Sequence, residues 1–581
     1  LFFHFLLELS ANYCSSLSNN VRYYRPNHRT TNNFLMSRKS NSAPDFRFLS
    51  MDIPTYHAMI SIQANFHNEV LGKEIMGNLY SGTWYLGIDL GTGSCKTAVV
   101  DAKGAVLGFS AKNYKAQDVD EKWQEQDPDE ILKGMVISVK NAIADAGVSP
   151  NDCGGLSLGG ALHNIMALGA DYRPLTGVFT WADTRCDKQV QNIKNSPQGA
   201  EIYKLTGCPA HTIYGLYKII WLKETSPIIF NQATKFISAK EYIYYHLTGE
   251  FLVDFGLASG NSLINIHTLE YDPKILTLAS ITEDMLSKLA PPLTTHRGIK
   301  PTLAIQMGLS PDTLVILGTS DAANSSIGAG AIHQSQATLS VGTSGAYRVI
   351  TATPALDAAE RSWCYAIDNS HWLVGGAINN AGFSLAWWKD SINQLFPSDS
   401  QLSFDQILLK ASEVEPGANN LICLPYFTGE RSPHWNPKAR GVLFGLGLQH
   451  DIRHISRAIL EGVAFSFRNL DEILISIGYS ISEVRASGGF INSQIWLQIM
   501  ANVLGRQMNI PDWGETAARG AALWAMLATG IFNTIEEAAA VVKSNECINP
   551  EQATSNQYSH LYKLFQQLYP KLESSFDDIN K

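Results

Sequence analysis

One unit occurs twice in this chain: a strand that runs into a small, glycine-rich tip and returns as a second strand. The first copy is WYLGID (84–89), the tip LGTGSCK and the return TAVVDAKG. The second is ATLSV (337–341), the tip GTSG (342–345) and the return AYRVI. The two tips are roughly 250 residues apart. A chain that builds the same tip twice is expected to fold as two half-molecules facing each other.

Helical patterns separate and follow the hairpins. DPDEILKGMVISVKNAIADAG offers Asp127 as an N-cap, Pro128 at the first helical position and apolar residues at helical spacing, and HISRAILEGVAFSFRNLDEIL repeats the period. Strands alternating with amphipathic helices predict an α/β architecture. The expected division is an N-terminal extension over 1–83, a first domain over 84–331 and a second over 332–581.

Residues 1–83 read differently from the rest, with arginines among Ser and Asn (VRYYRPNHRTTNN) and no sustained hydrophobic period. They are expected to be disordered or to precede the true start, for which Met36, Met51, Met59 and Met76 are candidates; an organelle transit peptide is the alternative. The opening LFFHFLLEL is short, is broken by His4 and Glu8, and reads as neither signal peptide nor membrane span.

The chain has 581 residues, of which 45% are hydrophobic and 17% charged, enough for two or three domains with separate cores. Its 53 acidic and 44 basic residues give a net charge of −9, which disfavours nucleic acid as a partner. Eight scattered cysteines with no CxxC pair suggest neither a zinc site nor a disulfide framework, and a reducing cytoplasm fits them. No partner beyond small molecules is called for, and assembly into a homo-oligomer is left open.

In the first tip, Gly91, Thr92, Gly93 and Ser94 let backbone N–H groups converge, and the hydroxyls and Lys96 add donors suited to phosphate oxygens. The tip is not a Walker A loop, because Cys95 stands where that pattern needs Gly. It is not a dinucleotide fingerprint either, because the last Gly of that pattern would fall on Lys96. Alone such a tip is more often simply a tight turn; the second copy is what favours phosphate. Asp89, just before it, is placed to hold Mg2+ through water or, alternatively, to cap the turn. Asp321 follows an apolar strand in LVILGTSDAANSSIGAGA, where a carboxylate can accept a hydroxyl proton or serve as an N-cap.

Taken together these segments resemble the FGGY carbohydrate kinases from about Trp84 to about Gly530. The matching motifs are DLGTGSCKTAVVD (89–101), GTSDAANSSIGAG (318–330), SVGTSG (340–345), LPYFTGERSPHWNPKARGVLFGL (424–446), ILEGVAFSFRNL (459–470) and ASGGFINSQIWLQIMANVLG (486–505). The resemblance implies two ribonuclease H-like, actin-like domains with a catalytic cleft between them, ATP with Mg2+ held mainly by the second domain and sugar mainly by the first. It makes Asp321 the catalytic base and brings Gly342 and Thr343 to the terminal phosphates. Gly382 and Gly489 would leave room for nucleotide, and Ser493 would meet the adenine or ribose.

On the sugar side, Leu162 and His163 in GGALHNIMAL, and Trp181, Asp183 and Arg185 in TWADTR, stand where relatives contact substrate. An alternative for Asp183 and Arg185 is a plain ion pair. TWADTR, GGAINNAG (375–382) and GERSPHWNPKARGVLFGL most resemble the gluconate-kinase branch, which implies D-gluconate as substrate and 6-phosphogluconate as product. Arg185 or Arg431 would meet the substrate carboxylate. Ala381 and Asn502 depart from that branch, which more often has Gly and Asp there. Xylulose is the rival substrate, with glycerol or another pentulose behind it. An actin-like ATPase and a silent sugar- and nucleotide-binding regulator are rivals from other classes.

Overall fold

The computed structural model describes residues 82–114, 117–120 and 123–579. The expectations for residues 1–81 therefore lie outside the described residues.

The first large sheet contains β1 (Trp84–Leu90), β2 (Ser94–Asp101), β3 (Val106–Asn113), β4 (Cys153–Gly160), β5 (Thr295–Arg297) and β6 (Leu314–Ile316), in the order β5-β6-β4-β1-β2-β3. The second contains β7 (Gln336–Val341), β8 (Gly345–Thr351), β9 (Trp363–Ala366), β10 (Trp372–Ile378), β11 (Glu483–Gly488), β12 (Gln507–Pro511) and β13 (Ser544–Ile548), in the order β9-β10-β8-β7-β11-β12-β13. Apart from the extra edge strand β9, the two sheets run in the same senses. Each has an antiparallel hairpin with a third antiparallel strand beside it, then two parallel neighbours, then an antiparallel edge. The repeated tip in the sequence is thus one part of a repeated sheet, and both tips lie at the centre of their sheets. The fold is the paired ribonuclease H-like, actin-like one, as expected.

Strand β1 is buried along its whole length, which requires cover on both faces. On one face Leu86, Ile88 and Leu90 meet Ile131, Met135, Val139 and Ala142 of α1 (Pro128–Ala146), each large side chain contributing about 1.5–3 kcal/mol by leaving water. Helix α1 begins as its sequence predicts: the Asp127 carboxylate accepts from the N–H groups of Asp129 and Glu130, and Pro128 occupies the first turn. It stops at Gly147, whose φ of 60° suits glycine. The second helical pattern forms α4 (Ile452–Ser476) after α2 (Asp321–Gly328) and α3 (Gly382–Asn393), and is followed by α5 (Gln494–Leu504), α6 (Thr516–Ala528) and α7 (Gln552–Ile579). Among the described residues no helix is long and apolar enough to cross a membrane.

The other face of β1 is covered by α6, which comes from the second half of the sequence. The approach is as close as backbones allow. A Cβ on Gly87 would fall on the Ala518 carbonyl, one on Gly328 on the Thr516 carbonyl, and one on Gly520 on the Asn324 carbonyl. Helices α2 and α6 therefore cross backbone to backbone. Their crossing is fastened by Arg519 Nε donating to the Gly328 carbonyl (3.0 Å), Trp524 Nε1 donating to Asn324 Oδ1 (2.9 Å) and a Ser325–Thr516 hydroxyl contact (3.1 Å).

Gly520→Ala is expected to destabilise the protein by about 1–3 kcal/mol, because its new methyl group must push α2 away. Equilibrium urea unfolding reads the effect as an earlier midpoint; an unchanged midpoint would mean that the two helices are free to part.

Candidate active site

The β1–β2 hairpin puts Asp89 directly opposite Lys96, and both side chains lie on the face covered by α6. The tip is closed by the Gly91 N–H donating to the Ser94 carbonyl (3.0 Å), and the second tip by the Gly342 N–H donating to the Ser344 carbonyl (2.9 Å). In the first tip the Thr92 carbonyl is held by Gln126, and the Gly91 carbonyl by the Tyr114 hydroxyl. In the second, the Gly382 N–H donates to Gly342 (2.9 Å) and the Phe383 N–H to Thr343 (3.0 Å), so the start of α3 ties up the loop's carbonyls. With their carbonyls turned to these partners, both tips are suited to aim N–H groups at an anion. Gly382 has to be glycine, since a Cβ would lie against the Gly342 carbonyl.

Asp321 sits at the first position of α2. The cap is Ser320, whose Oγ accepts from the Ala323 N–H, so Asp321 is not the N-cap and its carboxylate is left to face a cavity. The strand end before it is fixed by a buried ion pair, Lys240 to Asp254 (2.7 Å), with the Thr319 hydroxyl donating to the same Asp254 carboxylate (3.0 Å) and Lys240 reaching the Thr319 carbonyl (3.3 Å).

Asp321 lines a cavity of about 210 Å3 together with Thr92, Leu162, His163, Trp181 and Ser344. Arg348, Tyr365, Arg431 and Trp435 also lie on its wall. A second, more apolar cavity of about 360 Å3 has Gly342, Gly382, Gly489 and Ser493 on its wall, with Leu385, Phe490 and Trp496 beside them. A Cβ on Gly489 would meet nothing within 4 Å, and Ser493 caps α5 by accepting from the Trp496 N–H (3.3 Å). Leu162, His163, Trp181 and Asp321 thus share the first cavity with Thr92 of the first tip, and Gly382, Gly489 and Ser493 share the second, while the Gly342 tip contributes Ser344 to the first and Gly342 to the second.

Burial governs the charges. It pushes the Asp89 carboxyl up to about 7, helped by the nearby Asp321 charge and opposed by Lys96. Asp321 is also raised by burial, and Arg348 pulls it back. Lys96 pairs with Glu515 (2.6 Å), the residue before α6. His163 is pushed down to about 3 by burial and is neutral. Its Nδ1–H donates to the Gly260 carbonyl (2.5 Å) and its Nε2 faces the Tyr365 hydroxyl at 3.5 Å.

Two expectations are corrected here. Asp183 and Arg185 do not reach the cavity, because they are committed to each other (2.6 Å) and Arg185 also to Glu125 (2.7 Å). The guanidinium lies over Phe179 (4.1 Å), Trp123 (4.7 Å) and Trp221 (5.0 Å), so it is engaged by these rings as well as by the two carboxylates. Of the two arginines offered for a substrate carboxylate, only Arg431 is in place. Its guanidinium lies 5.1 Å from the Trp181 ring centre, with Nε donating to Asn379 Oδ1 (2.7 Å) and Nη2 to the Ile378 carbonyl (3.1 Å). Asn502 is also away from both cavities, accepting from the Glu551 N–H (2.7 Å).

Family models for the N-terminal and C-terminal domains of the FGGY family of carbohydrate kinases match residues 84–328 and 337–529. The chain belongs to the FGGY family of carbohydrate kinases. It is 34% identical to the gluconokinase of Bacillus licheniformis over 86% of this chain and 98% of that one. It is 28% identical to a xylulose kinase of Staphylococcus epidermidis over 85% and 98%. The crystal structure of gluconate kinase from Lactobacillus acidophilus matches with a TM-score of 0.81 and 30% identity, over 86% of this chain and 100% of that one.

FGGY kinases transfer phosphate from ATP with Mg2+ to a sugar, and this chain's residues fit both. Among the described residues no group of three acidic, histidine or cysteine side chains could cage a metal. A magnesium ion does not need such a cage, since it keeps waters and takes phosphate oxygens, with one or two carboxylates beside them. Asp89 is the residue that would supply that carboxylate, since its Oδ1 is buried with no hydrogen-bond partner. Residues that sequence reasoning missed are Arg348, Tyr365, Trp435 and Glu515. Arg348 carried a signal, as the one charge inside the apolar strand AYRVI.

The raised Asp89 carboxyl predicts a pH effect on ligand-free protein. Its stabilising contribution is complete below its ordinary value of 3.8 and is lost as pH rises through about 7. Asp89→Asn should therefore raise the melting temperature at pH 8 by about 1–3 °C, with the gain vanishing near pH 4. Thermal unfolding across that range checks it; a loss at pH 8 would contradict the assigned burial cost.

Proposed function

We propose that the protein phosphorylates D-gluconate at its terminal hydroxyl to give 6-phospho-D-gluconate. The observation that carries this reading is the arrangement of the 210 Å3 cavity, with a carboxylate, Asp321, and a cavity-facing arginine, Arg431, among its lining groups. A sugar acid offers a hydroxyl to the first and a carboxylate to the second. His163, Trp181 and Tyr365 would line the carbon chain between them, Trp181 through its flat face and His163 through its neutral ring.

In this reading the substrate's terminal hydroxyl hydrogen-bonds to the Asp321 carboxylate. As its oxygen attacks the γ-phosphorus, the proton passes to Asp321. The new O–P bond forms while the bond from the γ-phosphorus to the β,γ-bridging oxygen breaks, and ADP leaves with that electron pair. The N–H groups of the two tips, with Thr343 and Lys96, take the charge on the transferring group, Lys96 exchanging Glu515 for phosphate. Bound magnesium supplies further positive charge to the phosphate oxygens, and Asp89 is the residue that would hold it, through water. The adenosine would occupy the apolar cavity at Gly382, Gly489 and Ser493. Residues 84–331 and 332–581 would act as the two halves of the cleft, their closure excluding water as a competing acceptor.

Xylulose is the second reading, supported by the similarity to xylulose kinases, and it differs at Arg431, which an uncharged pentulose does not need. Coupled ADP release with MgATP and D-gluconate, D-xylulose, L-ribulose or glycerol separates the two. Gluconate-dependent release that falls by at least about 10³-fold in Asp321→Asn is expected. Arg431→Met should raise the KM for gluconate by about 10²-fold and leave the KM for ATP unchanged. Turnover of xylulose alone would replace the substrate, and near-normal turnover in Asp321→Asn would remove Asp321 from the role of base.

A further inference from the structure

Arg348 is a buried cation for which neither the sequence motifs nor the mechanism above has a use. It lies in β8 at the cavity, opposite Thr338 of β7 and Gly375 of β10. Its neighbour across the sheet has to be glycine, since a Cβ on Gly375 would come within 2.7 Å of the Arg348 Cβ. The side chain is 6% exposed, and its Nη2 donates to the Ser340 hydroxyl (2.7 Å), one residue before the Val341–Gly342 turn of the second tip. Its Nε is buried with no hydrogen-bond partner.

A guanidinium in that position is under-compensated. Burial brings Arg348 down to about 10, and the Asp321 carboxylate offsets only part of that cost. A buried donor without a partner, on a side chain that lines a cavity, carries its desolvation cost uncompensated. It is kept where a ligand supplies the missing acceptor. Its position selects the acceptor: Arg348 lines the same cavity as the base at Asp321, feels its charge, and is anchored to the strand that leads into the Gly342 tip.

We propose that Arg348 is a catalytic residue of the phosphoryl transfer, donating Nε–H and its remaining guanidinium N–H groups to oxygens of the phosphoryl group as it passes from ATP to the sugar hydroxyl. The inference rests on the reading of Asp321 as the site of transfer and is independent of which sugar is used. As the bond to the bridging oxygen breaks and the bond to the sugar oxygen forms, negative charge spreads over the three equatorial oxygens of the moving group. A fixed cation whose desolvation has already been met stabilises that charge more than it stabilises the bound substrates, so it acts on kcat. The Asp321 carboxylate acts on Arg348 electrostatically, and as it becomes protonated during transfer more of the guanidinium charge is left for the phosphoryl oxygens.

The test uses full-length enzyme with MgATP and whichever sugar the wild type turns over, so that a wrong substrate assignment shows in the wild type and a wrong assignment of Arg348 only in its variants. R348Q is expected to lower kcat by about 10²–10³-fold. The KM values for sugar and ATP should stay within about threefold of wild type. Millimolar guanidinium ion should restore part of the activity of R348A, since it can refill the vacated donor position. If R348Q does not fold, R348K, which keeps the charge and most of the stem, gives the same reading through a loss in kcat of at least about tenfold. A kcat within about threefold of wild type in the folded variants would overturn the proposal. So would a loss confined to the sugar KM, or a lower melting temperature with kcat unchanged and no effect of guanidinium ion.

Discussion

The crossing of α2 and α6 is the contact on which the site depends. Glycine at 87, 328 and 520 lets these backbones touch, and no other residue fits at any of the three. Helix α2 begins with Asp321, and α6 begins just after Glu515, the partner of Lys96. Because the two helices lie against each other and against β1, the Asp321 carboxylate, the Lys96 ammonium and the Asp89 carboxylate are held in one register. A looser crossing, with side chains between the helices, would let these groups drift by more than the fraction of an ångström that transfer tolerates.

Electrostatics then sets the balance within that frame. Asp89, Asp321 and Glu515 bring three carboxylates into partly dry surroundings, against Lys96 and Arg348. Without substrates the arrangement is expensive: Asp89 is lifted toward neutrality, and Arg348 keeps an unpartnered donor. A magnesium nucleotide brings both a dication and a polyphosphate, the charges that each side lacks. The site is thus less stable empty than filled, which is where binding energy can be directed to the reacting groups. The Lys240–Asp254 pair is different in kind, since it is fully buried and ties the turn before Asp321 to the start of the helix Phe255–Gly260, whose Leu257 N–H donates to Asp254 (3.1 Å).

Much of this was legible in the sequence, for reasons that differ by residue. Gly91, Gly342 and the strands around them are local features, and local chemistry predicts local structure; the same is true of Asp127, Pro128 and Gly147 at the ends of α1. The repeat of the tip announced the repeat of the sheet. Asp183 and Arg185 misled because residue types suited to sugar hydroxyls are equally suited to each other, and only three-dimensional packing shows that Trp123, Phe179 and Trp221 enclose the pair. Glu515 was hidden because its partner, Lys96, is 419 positions away. Arg348 was visible as a charge in an apolar strand, but its meaning depends on Asp321, in another half of the chain, and on the glycine at 375.

Asp321 and Arg431 line one cavity, where the first would meet the reacting hydroxyl and the second the carboxylate of a sugar acid. A crystal structure of Asp321→Asn with MgATP and D-gluconate tests it most directly. The terminal hydroxyl is expected within about 3 Å of residue 321, in line with the γ-phosphorus, with the carboxylate paired to Arg431. A gluconate bound with its carboxylate at residue 321, or a nucleotide whose γ-phosphate lies away from the two glycine tips, would contradict it.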